Sequence, residues 1–150
     1  MSFEDRIAIL LDGEYVKKVL GKRQRRFPTD ADVMREVERI LSSDPIKGLA
    51  LYRFFYYTAD PLTGKTVHPL TQVQSDFGSS SAFSRNIRLI RRLENQPDVA
   101  VRRGTLAHQG WEIGRAAVRG LTRGNKDRIE SGDIGRRTTS HSSGVTHRHK

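Results

Sequence analysis

Arg6-Ile7-Ala8-Ile9-Leu10-Leu11-Asp12-Gly13 is the stretch on which the fold turns. A short unbroken apolar run of this kind predicts a buried strand of a parallel sheet, covered on both faces. Asp12-Gly13 is a turn signal that ends it. A carboxylate directly after such a strand stands at the carboxyl edge of the sheet. Open α/β sheets bind ligands there, at the point where the strand order reverses. Asp12 then has two readings. It can cap the next helix or make an Asx-turn, or its oxygens can hold a hard cation, magnesium or manganese.

The neighbouring sequence extends the pattern outward. Glu14 to Leu20 places Val16, Val19 and Leu20 at helical spacing, with Gly21 as a C-cap. Pro28-Thr29-Asp30 opens a second helix, in which Val33, Val37, Ile40 and Leu41 form one apolar stripe. Ser42-Ser43-Asp44-Pro45 ends it. Gly48 to Tyr57 is an aromatic and aliphatic strand, and Thr58 to Ser80 is a long polar loop. Ser81 to Leu93 returns to helical period through Phe83, Ile87 and Ile90, and Val99-Ala100-Val101 begins another strand. This order predicts an α/β domain whose parallel sheet is flanked by helices. Asp60, just past the second strand, joins Asp12 at the predicted carboxyl edge, with an Asp-Pro turn as its other reading.

Composition sets the limits. The chain has 150 residues, of which only 35% are hydrophobic, so one domain is expected and part of the length joins no core. Residues 1–125 are the expected domain and 126–150 a basic disordered tail. From Arg136 to Lys150, Val145 is the only aliphatic residue and no acid occurs. The absence of cysteine excludes disulfides, Cys-ligated zinc and a thiol nucleophile, and fits a cytoplasmic protein. No apolar run reaches the roughly 20 residues of a membrane span, and the first residues lack a signal-peptide layout, so no membrane partner is expected. The net charge is +10, and residues 101–150 hold 11 basic against 4 acidic side chains. Such an excess points to a polyanion, nucleic acid first. Lys17 and Lys18, the run from Lys22 to Arg26, the helical face Arg85, Arg88 and Arg92, and the pair Arg102 and Arg103 are the candidate phosphate contacts. Each cluster taken singly also reads as a solvated basic surface. Tyr52, Tyr56, Tyr57 and Trp111 are either base-stacking partners or core.

Ile7-Ala8-Ile9-Leu10-Leu11-Asp12-Gly13-Glu14-Tyr15 resembles the opening of NYN domains, the LabA-like branch of the PIN-like nucleases, whose first strand ends in Asp-Gly-x-Asn or a close variant. The likeness continues through Leu51-Tyr52-Arg53-Phe54-Phe55-Tyr56-Tyr57-Thr58-Ala59-Asp60-Pro61, through His68-Pro69-Leu70, and through Val101-Arg102-Arg103-Gly104-Thr105-Leu106 with Gly110-Trp111. The resemblance implies a Rossmann-like, PIN-like sheet and metal-dependent cleavage of RNA. In that chemistry a cluster of acids holds magnesium or manganese, which activates a water. Asp12 matches the first of these acids. Glu14 and Asp60 are its nearest helpers by topology, and Asp133 in Ser131-Gly132-Asp133 is the candidate for the last. Tyr15 stands where many members carry Asn.

The departures from the family pattern matter as much. The family's Lys-Gly-Val-Asp motif is absent. Asp127-Arg128-Ile129-Glu130 is no apolar strand, and no second acid follows Asp133, so Asp133 also reads as a polar turn. The fold is therefore expected to be incomplete at its C-terminal end, as a truncation or frameshift would leave it. A lone carboxylate is a poor magnesium site. The expected function is a PIN-like ribonuclease-type domain acting on RNA phosphodiesters, weak or inactive in this chain. The competing reading is a non-catalytic RNA-binding or scaffold module of the same fold.

Overall fold

The computed structural model describes residues 5–114 and 134–142. Its elements are β1 (Arg6–Asp12), α1 (Gly13–Gln24), α2 (Asp30–Leu41), β2 (Ala50–Ala59), β3 (Lys65–Val67), β4 (Gln74–Asp76), α3 (Ser81–Glu94), β5 (Val99–Ile113) and β6 (Ile134–Ser142). The main sheet has the order β1-β2-β5-β6. β1, β2 and β5 run parallel and β6 pairs antiparallel with β5. β3 and β4 form a separate antiparallel pair. The mixed α/β architecture with a mostly parallel sheet flanked by helices is the one the sequence predicts. Among the described residues no helix is long and apolar enough to cross a membrane.

Two expectations about the sheet are corrected. The described strands add in one direction, so the order never reverses, and the carboxyl edge carries no switch point. β1 is also not covered on both faces. A sheet that grows one way through crossovers of a single hand collects its helices on one face. Ile9, Phe54 and Tyr56 on that face join Val16 and Leu20 of α1, Val33 and Val37 of α2, and Leu89 and Leu93 of α3 in one buried cluster. Full burial of such a side chain stabilises by roughly 1.5–3 kcal/mol. The alternate residues point away from the helices, and Leu10 remains 60% exposed and Tyr57 46%.

Local chemistry explains the element ends. Asp12 caps α1, its carboxylate accepting from the N–H groups of Glu14 and Tyr15. The helix runs past Gly21, which was expected to end it. Arg25, in the left-handed region at φ 54°, is the actual C-cap, and the extra turn gives Lys22 and Arg23 to the negative end of the helix dipole. Thr29 caps α2 in a reciprocal capping box with Asp32, and Ser80 caps α3 by accepting from the N–H of Phe83.

Thr58 to Ser80 is not the loop its composition suggests. β2 continues to Ala59, and β3 and β4 build a hairpin that docks on the far half of β5. The Trp111 indole N–H donates to the Thr66 hydroxyl at 3.3 Å, and His68 packs edge-on against Trp111. β5 itself reaches Ile113. Gly110, at φ 98°, sits where its register with β6 shifts between His108 and Trp111, a bulge that requires a residue free to take positive φ.

The predicted tail is corrected over Ile134–Ser142, which form β6. A strand this polar gains its place from ladder hydrogen bonds at the edge of a sheet rather than from burial. The remainder of 126–150, and Asp133, lie outside the described residues.

Candidate nucleic-acid interface

The carboxyl edge begins with the two predicted acids. Asp12 Oδ1 accepts from the Glu14 N–H at 2.9 Å and the Tyr15 N–H at 3.2 Å, so the capping alternative describes what this side chain does. Asp60 follows β2, its backbone N–H donating to the Gly104 carbonyl at 3.0 Å and its carboxylate ion-paired with Arg103 at 3.4 Å. Asp12 is thus committed to the cap through one oxygen, while the buried Asp60 Oδ1 has the Arg103 ion pair but no hydrogen-bond partner. Among the described residues no three Asp, Glu, His or Cys side chains come together as a metal-holding group. The described residues alone do not assemble the acid cluster that the resemblance implies, and its last candidate, Asp133, lies outside them.

Beneath this edge lies Tyr56, fully buried and donating its hydroxyl to the Gly13 carbonyl at 3.2 Å. Burial, and then the nearby charges of Glu14 and Asp12, push its phenol above the ordinary range, so it stays protonated as a structural donor.

The cations are arranged differently from the acids. Lys17, on α1, pairs with Glu14 one turn earlier and donates to Asn86 Oδ1 on α3 at 2.6 Å. Its side chain is only 13% exposed, which makes it a strut between the two helices. Around it lie three adjoining clefts. The first, about 390 Å³, sits at the carboxyl edge and includes Glu14, Lys17, Ser80, Asn86 and Arg136 in its lining. The second, about 600 Å³, shares Glu14, Lys17 and Asn86 with it and adds Lys18 and Phe27. The third, about 200 Å³, shares Phe27 and adds Asp30, Arg85, Arg88 and Arg92. Together they make one groove along α1 and α3, lined by six cations against the two carboxylates of Glu14 and Asp30. Arg85 lies over the Phe27 ring at 5.4 Å, which holds its guanidinium plane at the groove. Arg92 is ion-paired with Asp30 at 3.6 Å.

Five of the predicted phosphate contacts therefore come together: Lys17, Lys18, Arg85, Arg88 and Arg92. Arg102 and Arg103 do not join them. Successive strand residues point to opposite faces, so Arg102 lies over Phe55 at 5.6 Å, on the face away from the described helices. Arg103 is bound to Glu94 at 2.6 Å and to Asp60. Of the run from Lys22 to Arg26, Arg23 in the last turn of α1 pairs with Glu36 of α2, and Arg26, just past the helix, pairs with Asp32 of α2, which fastens the end of α1 to α2. Among the aromatic candidates, Tyr56 is core, Tyr52 and Tyr57 are exposed, and Trp111 packs with His68 and His108.

Sequence reading missed Phe27, Asn86 and Arg136. Phe27 was a lone aromatic among basic residues, a signal that could have been used. Asn86 lies one position from Arg85 on a recognised helix. Arg136 was discounted because its segment was read as a tail. Compared with known proteins, the chain matches no family model, no curated protein and no solved structure.

Proposed function

We propose that this chain is an RNA-binding α/β module, of the PIN-like type its sequence resembles, that grips a phosphodiester backbone along the α1–α3 groove. The observation that supports this is the placement of Lys17, Lys18, Arg85, Arg88, Arg92 and Arg136 around adjoining clefts that start at the carboxyl edge of the sheet. Guanidinium groups pair with phosphate through two parallel N–H donors, and a row of them follows a backbone without reading its sequence. Of the two functions expected from sequence, binding without cleavage is the one this geometry favours. Hydrolysis through a bound metal needs a cluster of acids facing one ion, and among the described residues no such group of three forms.

Binding of single-stranded RNA over a range of salt tests the proposal. The logarithm of affinity is expected to fall linearly with the logarithm of salt, by about 0.7 per phosphate contact. Arg85→Ala combined with Arg88→Ala should flatten that slope by roughly one to two. Arg53→Ala, on the helix-free face, should leave it nearly unchanged. A slope insensitive to the groove pair overturns the proposal. In the same preparation manganese should produce no cleavage. Cleavage abolished by Asp12→Asn would restore the nuclease reading.

A further inference from the structure

We propose that the cleft at the carboxyl edge is a base pocket that takes one unstacked guanine from the bound strand. This rests on the RNA-binding reading of the groove. Three features of this cleft support that assignment.

Its walls are mixed. Pro61, Leu62, Phe77, Phe83 and Leu106 line it together with polar groups, whereas a phosphate needs no apolar wall. A volume of about 390 Å³ falls within the range of small-ligand sites, roughly 300–1,000 Å³. Single-stranded RNA is read by turning bases out of the stack into pockets of this kind, with their faces on apolar or aromatic side chains.

Its polar groups are paired in a particular order. Glu14 and Lys17 are ion-paired, and both also line the neighbouring cleft, so they stand where pocket and groove meet. A carboxylate there accepts hydrogen bonds through two oxygens, and the ammonium beside it donates. Guanine carries N1–H and N2–H₂ side by side on its Watson–Crick edge, with the acceptor O6 next to them. Glu14 can accept both N–H groups while Lys17 donates to O6. Uracil offers one N–H between two acceptors and leaves one carboxylate oxygen unmatched. Cytosine and adenine each offer a single amino group next to a ring acceptor, which does the same.

The pocket also has a cation at its rim. Arg136 on β6 lies over the Phe77 ring at 5.1 Å and is exposed. A guanidinium held against an aromatic ring keeps N–H donors available, and here they meet the phosphate of the nucleotide whose base enters. The opposite side is the N-terminal end of α3, whose dipole adds positive potential.

The test compares affinities of the unaltered chain for three oligonucleotides: oligouridylate, the same strand with one central guanosine, and the same strand with inosine, which lacks the N2 amino group. The guanosine strand should bind roughly tenfold more tightly than oligouridylate, the discrimination typical of a bidentate base contact, with inosine between them. Glu14→Gln should bring the guanosine-to-uridine ratio to about one, whatever happens to absolute affinity. Glu14 is exposed in the first turn of α1, and the inosine comparison needs no variant. Equal binding of all three strands that still weakens in Arg85→Ala overturns the base pocket and leaves the groove standing. A guanosine preference that survives Glu14→Gln also overturns it. No binding to any strand overturns the RNA reading, and the pocket with it.

Discussion

Gly13 is fixed by a neighbour from another strand. A Cβ at this position would lie 2.6 Å from the Tyr56 ring, and that ring is fully buried and cannot swing aside. Gly13→Ala is expected to destabilise the chain by about 1–3 kcal/mol, seen as a lower urea midpoint at unchanged slope. Asp12-Gly13 thus has two structural reasons: the acid caps α1 and the glycine admits Tyr56. The cap was one of two readings open in the sequence, beside a metal; the close approach of Tyr56 was not legible there. Asp32 is the other decisive residue. It is 2% exposed and accepts from Arg26, Arg35 and Thr29. The Arg26 hydrogen bonds are the largest cause that holds its carboxyl well below the ordinary range, outweighing the opposing effect of burial. A carboxylate with a depressed folded pKa stabilises the fold above its unfolded value and loses that contribution as pH falls through the folded one. Stability should therefore decline from about pH 4 downward. Asp32→Asn should lower the neutral plateau and flatten the acid limb, as denaturation at a series of pH values would show.

At the scale of elements, legibility followed the source of each element's stability. α2 and α3 bury a periodic apolar face, so their spacing announced them; β1 was announced by its unbroken apolar run, although only one of its faces joins the buried cluster. α1 was found but cut short, because Gly21 imitates a C-cap while Leu20, buried beside it, belongs to a helix that continues. β6 and the far half of β5 bury little and hold each other by backbone pairing across a wide sequence gap. No local periodicity records such a partnership, and a run of Arg, Thr and Ser reads as tail. The basic groove was half legible: charge clusters are visible in a sequence, but only the fold says that Arg103 turns inward to Asp60 and Glu94 while Arg85 faces the groove. Helix caps are the element-scale signals most open to test. Ser80→Ala removes the hydroxyl that accepts from the Phe83 N–H at 3.1 Å, and should cost about 1 kcal/mol, read by thermal or urea unfolding.

Across the whole molecule, the placement of every described helix on one side of the sheet divides its residues into two classes. Phe54, with no exposure, belongs to the helix-covered class, and Phe54→Ala should cost roughly 3–5 kcal/mol. Leu10 lies one residue from Ile9 in β1 but on the other face, and Leu10→Ser should change stability by less than about 1 kcal/mol. The same change should reduce binding of an apolar fluorescent dye to the folded chain, since Leu10, Tyr52 and Tyr57 are large apolar groups left in solvent. The length of β5 has a mechanical meaning as well. Its first residues pair with β2 from Val99 to Gly104, and its later ones with β6 from Gly104 to Ile113, so one strand is shared between a packed body and an arm. Leu106, Arg136 and Thr138 contribute the arm's wall of the carboxyl-edge cleft, and Glu14, Lys17 and Phe83 the body's wall. Gly104 is the residue at which the strand passes from one partner to the other, so both walls of the cleft are tied to one unbroken strand, and a ligand that touches both spans the seam between body and arm.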